Sequence, residues 1–345
     1  MALVPAPPAK GSPIAIGVSY FGNRILRHVA SDMEDLVARG FTGVLHTFSE
    51  NDYTWYRGQM ERIVAVSHDL GLEVQVGPWG LAHVFGGEAE SLFMTQHPEL
   101  GQVFADGRHV GAGCPSRPEL LAFVKRWASA AVELGADRVF WDEPHWAHPV
   151  RFDQPREAWT CICGACRTGF RQRFGHDLPA ELTDEVVAFR EQVLTDFVRE
   201  LVAHVDAIGG RSTVCLLPPV DGLHAVDGWE AVASAPGLDT LATDPYWSFF
   251  HQDPEEFVGG LSRRAVQLSQ EHGLTPQIWI QGFKLGPEQV GEIHAAVDAA
   301  RAAGVEDLWT WGYEACGHMS HLETREPEVI WEALTEALTG RRADG

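Results

Sequence analysis

The residues best suited to chemistry lie between Trp141 and Gly175. The stretch opens on Trp141-Asp142-Glu143-Pro144, two adjacent carboxylates at the end of an apolar run. A carboxyl flanked by Trp141 and Trp146 would sit in a partly apolar setting, which raises its pKa and lets it act as a general acid near neutral pH. Glu143 is therefore the leading candidate for proton donation, with Asp142 beside it. Further along comes Cys161-Ile162-Cys163-Gly164-Ala165-Cys166, three thiols within six residues, leading into a basic, aromatic helix. Thiolates so spaced are metal ligands, and a closed structural zinc site takes four of them at tetrahedral angles. The fourth is most plausibly Cys114, in Gly113-Cys114-Pro115, with His145, His148 and His176 as substitutes. Free thiols or a labile disulfide are the alternative.

Positioning these groups falls to a regular alternation of apolar runs and amphipathic stretches. Strands are predicted at 14–18, 43–46, 72–76, 138–141, 212–217, 238–243, 277–280 and 307–310. Helices are predicted at 31–39, 55–70, 118–134, 183–208, 254–272, 287–303 and 326–338. Several of these helices are followed by a glycine and then a new apolar run, as at Gly40, Gly71, Gly135, Gly273 and Gly304, the pattern of a left-handed helix stop. Eight such units predict a (β/α)8 TIM barrel, an α/β fold. A doubly wound sheet is disfavoured, because no Gly-rich phosphate loop follows the first strand. The chain reads as a single domain over 14–340, with a Cys-rich, zinc-bearing insertion after strand four over 144–180. The Ala/Pro-rich residues 1–13 read as a disordered tail.

In such a barrel the active face is built from residues just after each strand. Those positions supply Tyr20, His46, Glu50, Trp79, Trp141, Trp146, Tyr246, Trp247, Gln281 and Trp311 as candidate substrate-binding residues. Asp244, Glu314 and Glu50 are the carboxylates that could partner Glu143. A tryptophan taken singly is usually core packing. Aromatic rings gathered at strand ends, beside acids and amides, instead suit the C–H faces and hydroxyls of a sugar.

The formal net charge of −22 argues against nucleic acid or an anionic membrane as partner. No apolar run approaches the ~20 residues of a membrane span. The N-terminus lacks the basic and apolar regions of a secretion signal, so a cytoplasmic location and reduced cysteines are expected. A small carbohydrate or glycoside is the expected partner, in a chain compatible with a homo-oligomer. Cys215 and Cys316 read as core or site-lining thiols.

These motifs resemble the barrel domain of the glycoside hydrolase family 42 β-galactosidases. The matching residues are Asp142-Glu143, Cys161, Cys163 and Cys166, the helix start Arg167-Thr168-Gly169-Phe170-Arg171, Cys114-Pro115, Asp244-Pro245-Tyr246, Trp311 and Glu314. The resemblance implies a retaining glycosidase with Glu143 as acid and a structural Zn2+ on Cys114, Cys161, Cys163 and Cys166. Two departures stand out. Asp142 replaces the asparagine before the acid, and Gln281 occupies the position of the strand-seven glutamate nucleophile. An amide cannot form a glycosyl ester. Three readings follow: a glycoside hydrolase whose second carboxylate is Asp244, Glu314 or Glu50; a substrate-assisted hexosaminidase using Asp142 and Glu143; or a catalytically silent carbohydrate-binding barrel.

Overall fold

The structure, a computed structural model, describes residues 15–220 and 224–341; the predicted tail over 1–13 lies outside them. Ten strands form: β1 (Ile16–Tyr20), β2 (Gly43–Thr47), β3 (Glu73–Gly77), β4 (Gly101–Val103), β5 (His109–Gly113), β6 (Arg138–Asp142), β7 (Ser212–Leu216), β8 (Leu238–Thr243), β9 (Thr275–Gln281) and β10 (Asp307–Trp311). Eight of them close a parallel barrel in the order β1-β2-β3-β6-β7-β8-β9-β10, with β10 paired back to β1. The predicted TIM barrel is therefore present, with strand ends shifted by a residue or two.

Helices α1 (Leu26–Arg39), α2 (Arg57–Asp69), α4 (Pro118–Glu133), α6 (Asp184–Ala207), α8 (Pro254–His272), α9 (Val290–Ala302) and α10 (Pro327–Thr339) clothe the barrel. The short α3 (Leu92–Gln96), α5 (Gly164–Phe174) and α7 (Trp229–Ala233) belong to the connecting segments. Local chemistry sets the long helices' ends. Thr183 caps α6 by accepting the Val186 N–H, and Asp253 caps α8 by accepting that of Glu256. Gly40, Gly273 and Gly340 stop their helices in the left-handed region.

Two excursions rise from the C-terminal face. The one after β6 matches the predicted insertion. The other, after β3, contains the antiparallel β4–β5 hairpin, an element beyond the eight predicted strands. The excursions are stitched together by Ile162 N–H to Val103 O (3.0 Å) and Ala105 N–H to Trp159 O (3.1 Å).

Successive side chains along a strand point to opposite faces. Leu45, Phe140, Cys215, Ala242, Trp279 and Trp309 fill the barrel interior, while Val18, Val44, Val76, Val139, Val214, Leu241 and Ile278 pack outward on the helices. Gly17 makes room for Trp309, since a Cβ there would lie 2.3 Å from the indole. At the N-terminal end the interior is polar. Buried Arg138 reaches Thr240 Oγ1 (3.1 Å), Asp307 Oδ2 (3.4 Å) and Glu73 Oε1 (3.2 Å). Asp307 also accepts from Trp309 Nε1 (2.7 Å) and Gln277 Nε2 (3.1 Å).

Replacing one partner of a buried ion cluster strands the others in low dielectric. Arg138→Met should therefore destabilise the fold by about 3–5 kcal/mol, read from a denaturant midpoint. Burial pushes the Glu73 carboxyl up to about 7, against the pull of Arg138. The folded state then holds this proton more tightly than the unfolded chain does, and the associated stability is full below the ordinary carboxylate range. It is lost as pH rises through about 7. Glu73→Gln should remove that slope from a pH series of melting temperatures.

Candidate active site

At the C-terminal mouth lies a cavity of about 700 Å³, within the usual size of a small-molecule site. Asp142 and Glu143 line it, at and just past the end of β6. Strand alternation explains the inward aim of Asp142: Phe140, two residues earlier, is a barrel-interior side chain. Glu143 has φ +43, in the left-handed region. That strain in a non-glycine residue is typical of a group held for function. Gly86 lets both acids approach: a Cβ there would lie 2.8 Å from Asp142 Oδ2 and 3.0 Å from Glu143 Oε2.

Asp244, just after β8, is buried, and its carboxyl faces that of Glu143. Among the described residues the buried Asp244 Oδ1 has no hydrogen-bond partner. Burial is the first cause that pushes the Asp244 carboxyl well above the usual range, followed by the nearby Glu143 and then Asp142. Asp142 is raised in the same direction by burial, then by Glu143 and Glu88. Asp142 and Asp244 are both driven toward their neutral forms. Tyr246 lines the same cavity, with its hydroxyl held protonated by burial and by Asp244.

The structure gathers only some of the other expected residues. Trp311 lines the cavity and stacks on Phe21. Trp79 also packs against Phe21 and donates its indole N–H to Glu88 (2.8 Å), itself a cavity residue. Gln281 is fully buried, its carbonyl accepting from Ser248 N (3.1 Å) and Phe249 N (3.2 Å) and its amide donating to Phe283 O (2.9 Å). It clamps the β8 and β9 loops together.

The remainder lie elsewhere, for physical reasons. Tyr20, His46 and Trp141 fall on the outward parity of their strands. Tyr20 donates to Asp32. His46 contacts Ser67 Oγ (2.9 Å), with burial pushing its pKa down to about 3. Trp141 packs on Phe85 and Trp127. Trp146 is buried under the Arg190 guanidinium, and Trp247 is buried with its indole bonded to Glu292 (2.8 Å). Glu50 is consumed as an anchor for the β3 excursion, accepting from Ala82 N (2.9 Å), Phe93 N (2.6 Å) and Ser91 Oγ (2.7 Å). Glu314 is exposed, does not line the cavity and feels the charges of Asp32 and Asp35. Of the three candidate partners for Glu143, the fold brings up Asp244 alone.

Sequence reasoning passed over Glu88, Arg151, His224 and Lys284, which also line the cavity. The Gly86-Gly87-Glu88 run was the available signal for the first, and the scarcity of lysine for the last.

The Cys114, Cys161, Cys163 and Cys166 sulfurs all lie within 4.8 Å of one another, buried where the two excursions meet. Two of the separations are 3.5 Å (Cys114–Cys166) and 3.6 Å (Cys163–Cys114). A tetrahedral metal with bonds of about 2.3 Å sets its sulfurs roughly 3.8 Å apart, so the four residues fit such an ion. The N–H groups of Val103 (3.3 Å) and Cys163 (3.5 Å) point at Cys161 Sγ, as outer partners of bound thiolates do. His145 and His148 line the cavity and His176 bonds Glu185 (3.0 Å), so none takes the place of Cys114.

No family model matches the chain, and no curated protein matches it. Solved structures do. An endo-1,4-β-mannanase from Rhizomucor miehei superposes with TM-score 0.61 at 10% identity, over 96% of this chain and 96% of that one. An endo-β-1,4-mannanase from Thermotoga petrophila gives 0.58 at 12%, over 96% and 78%. A D-psicose 3-epimerase gives 0.51 at 10%, over 94% and 97%. The class these matches define is the TIM barrel. Hydrolases and an isomerase share it, so the reaction must be argued from the site. Among the described residues no helix is long and apolar enough to cross a membrane.

Proposed function

We propose that this chain is a glycoside hydrolase acting on O-glycosidic bonds, with Glu143 as the general acid. The observation that carries the reading is Glu143, its backbone strained into the left-handed region, lining an aromatic cavity beside the buried carboxyl of Asp244. Glu143 protonates the departing oxygen as the sugar C–O bond breaks, and water completes the hydrolysis. Asp244 is the second carboxylate of the site. Burial holds the neighbouring Asp142 and Asp244 toward their neutral forms, which limits the negative charge around the acid. Tyr246 offers a neutral hydroxyl, and Trp311 and Phe283 offer apolar faces to the sugar. Two structural neighbours are mannanases, which is consistent with this class of reaction.

A second reading is favoured by Asp142, which lines the cavity next to Glu143 with its carboxyl pushed well above the usual range by burial and then by Glu143. A 2-acetamido group on the substrate would then supply the attacking oxygen, with Asp142 orienting it and Glu143 as acid. The resulting cyclic intermediate is opened by water.

In the same reading, Cys114, Cys161, Cys163 and Cys166 hold one structural Zn2+. The ion pins the β3 and β6 excursions, which carry Gly86, Glu88 and Glu143, and supplies no step of the reaction.

Glu143→Gln should cut kcat on a responsive aryl glycoside by about 10²–10⁴-fold with little change in folding. A wild type silent on a broad glycoside panel would sink the hydrolase reading. Confinement of activity to 2-acetamido sugars, with loss in Asp142→Asn, identifies the substrate-assisted route. Elemental analysis should return one zinc per chain. Cys166→Ser should lose it and lower the melting temperature, and a metal-free wild type of unchanged stability would remove the zinc assignment.

A further inference from the structure

Positive charge is scarce in this chain: it carries 26 Lys and Arg against 48 Asp and Glu, and only three lysines. One of those lysines, Lys284, and Arg151 both line the cavity. Both are exposed, and no ion pair is formed by either among the described residues. The Arg151 side chain donates to the carbonyl of Gly87, at 3.2 Å. Lys284 sits at φ +53, its N–H bonded to Leu322 O (3.2 Å), between the cavity residue Phe283 and buried Leu285.

The charges that most raise Asp142 are Glu143 and Glu88, and those that most raise Asp244 are Glu143 and Asp142. The two cations' places around the ring are informative. Arg151 belongs to the β6 excursion and touches the β3 excursion, whereas Lys284 follows β9. Strands β7 and β8 lie between, and Glu143 and Asp244 stand just past the ends of β6 and β8. A sugar chain laid across Glu143 and Asp244 therefore meets a cation on each side.

We propose that the cavity takes oligosaccharides whose cleaved unit is flanked by acidic sugars, with one anionic group on Arg151 and another on Lys284. The proposal rests on the reading of this cavity as a glycoside site and names its substrate class. A guanidinium pairs in two-pronged fashion with a carboxylate, and an ammonium binds one as a point charge. The shared chemistry is an anion on the sugar, a uronate carboxylate or a sulfate ester. Neutral mannan-like or cellulose-like chains would leave both cations solvated and contribute nothing there.

The test is calorimetric binding to the folded Glu143→Gln protein, which retains the cavity and does not turn substrate over. The probes are a tetrasaccharide alternating N-acetylglucosamine and glucuronate, its methyl ester, a sulfated counterpart, and neutral chitotetraose. The uronate form should bind at least about 10-fold tighter than its methyl ester at low salt, with the gap narrowing as salt rises. Adding Arg151→Gln and Lys284→Gln should bring the two within a few-fold, at an unchanged melting temperature because both side chains are exposed. Tighter binding of the sulfated probe alone would assign the site to sulfate esters. Equal binding of ester and acid, no binding of any probe, or a charge preference that survives the double substitution would overturn the proposal. Hydrolysis by the wild type separates the two claims. Turnover of neutral glycosides only would sink this inference and leave the hydrolase, whereas charge-selective binding without turnover would do the reverse.

Discussion

Closure of eight parallel strands sends every second side chain into a space that must be completely filled, and the rest of this molecule follows from that constraint. Polar residues can enter only if they satisfy one another. At the N-terminal end they do so as an ion cluster around Arg138, with Asp307 bonded to two further side chains. In the middle, aromatic and aliphatic residues close the interior, and Trp309 occupies room left by Gly17. At the open end the same parity delivers Asp142 and Asp244 inward, where burial and neighbouring carboxylates act on them most strongly. What balances Asp142 and Asp244 is protonation. Desolvation and the neighbouring negative charges both favour the neutral acid.

This arrangement differs from a structural ion pair in one respect. A buried pair of opposite charges holds its protons fixed, whereas a cluster of like groups exchanges them readily as its surroundings change. Such a cluster facing a cavity is suited to acid–base work. The close approach depends on Gly86, where any side chain would collide with both carboxylates. It depends also on Glu143 holding a backbone conformation that side chains rarely adopt. Local strain and local desolvation are thus concentrated at one point, and the surrounding elements must hold it.

That support comes from the two excursions. Neither is long enough to build a core of its own, yet together they carry Gly86, Glu88, Arg151 and the approach to Glu143. Backbone pairing between residues 103–105 and 159–162 joins them, and four sulfurs meet at the junction. Glu50 contributes from the β2 side by accepting three hydrogen bonds from the β3 excursion. Gln281 does the same for the β8 and β9 loops. Both look catalytic by position, and both are used to hold loops in place.

The eight-unit alternation, the glycine helix stops and the thiol spacing were legible because each is a local pattern: hydrophobic periodicity, left-handed backbone preference and ligand geometry act over a few residues. Strand parity was equally present in the sequence. Applied strictly, it separates inward Asp142, Asp244 and Trp311 from outward Tyr20, His46 and Trp141. What no local pattern contains is the path of the long excursions. Those paths decided that Cys114 reaches the other three thiols, that Glu50 is consumed by backbone donors while Glu88 reaches the cavity, and that Glu314 stands outside. They also decided that Arg151 and Lys284, 133 positions apart by their numbering, face one hollow. Contacts between segments so distant are set by packing and hydrogen-bond satisfaction across the whole barrel mouth, and that balance exists only once the ring has closed.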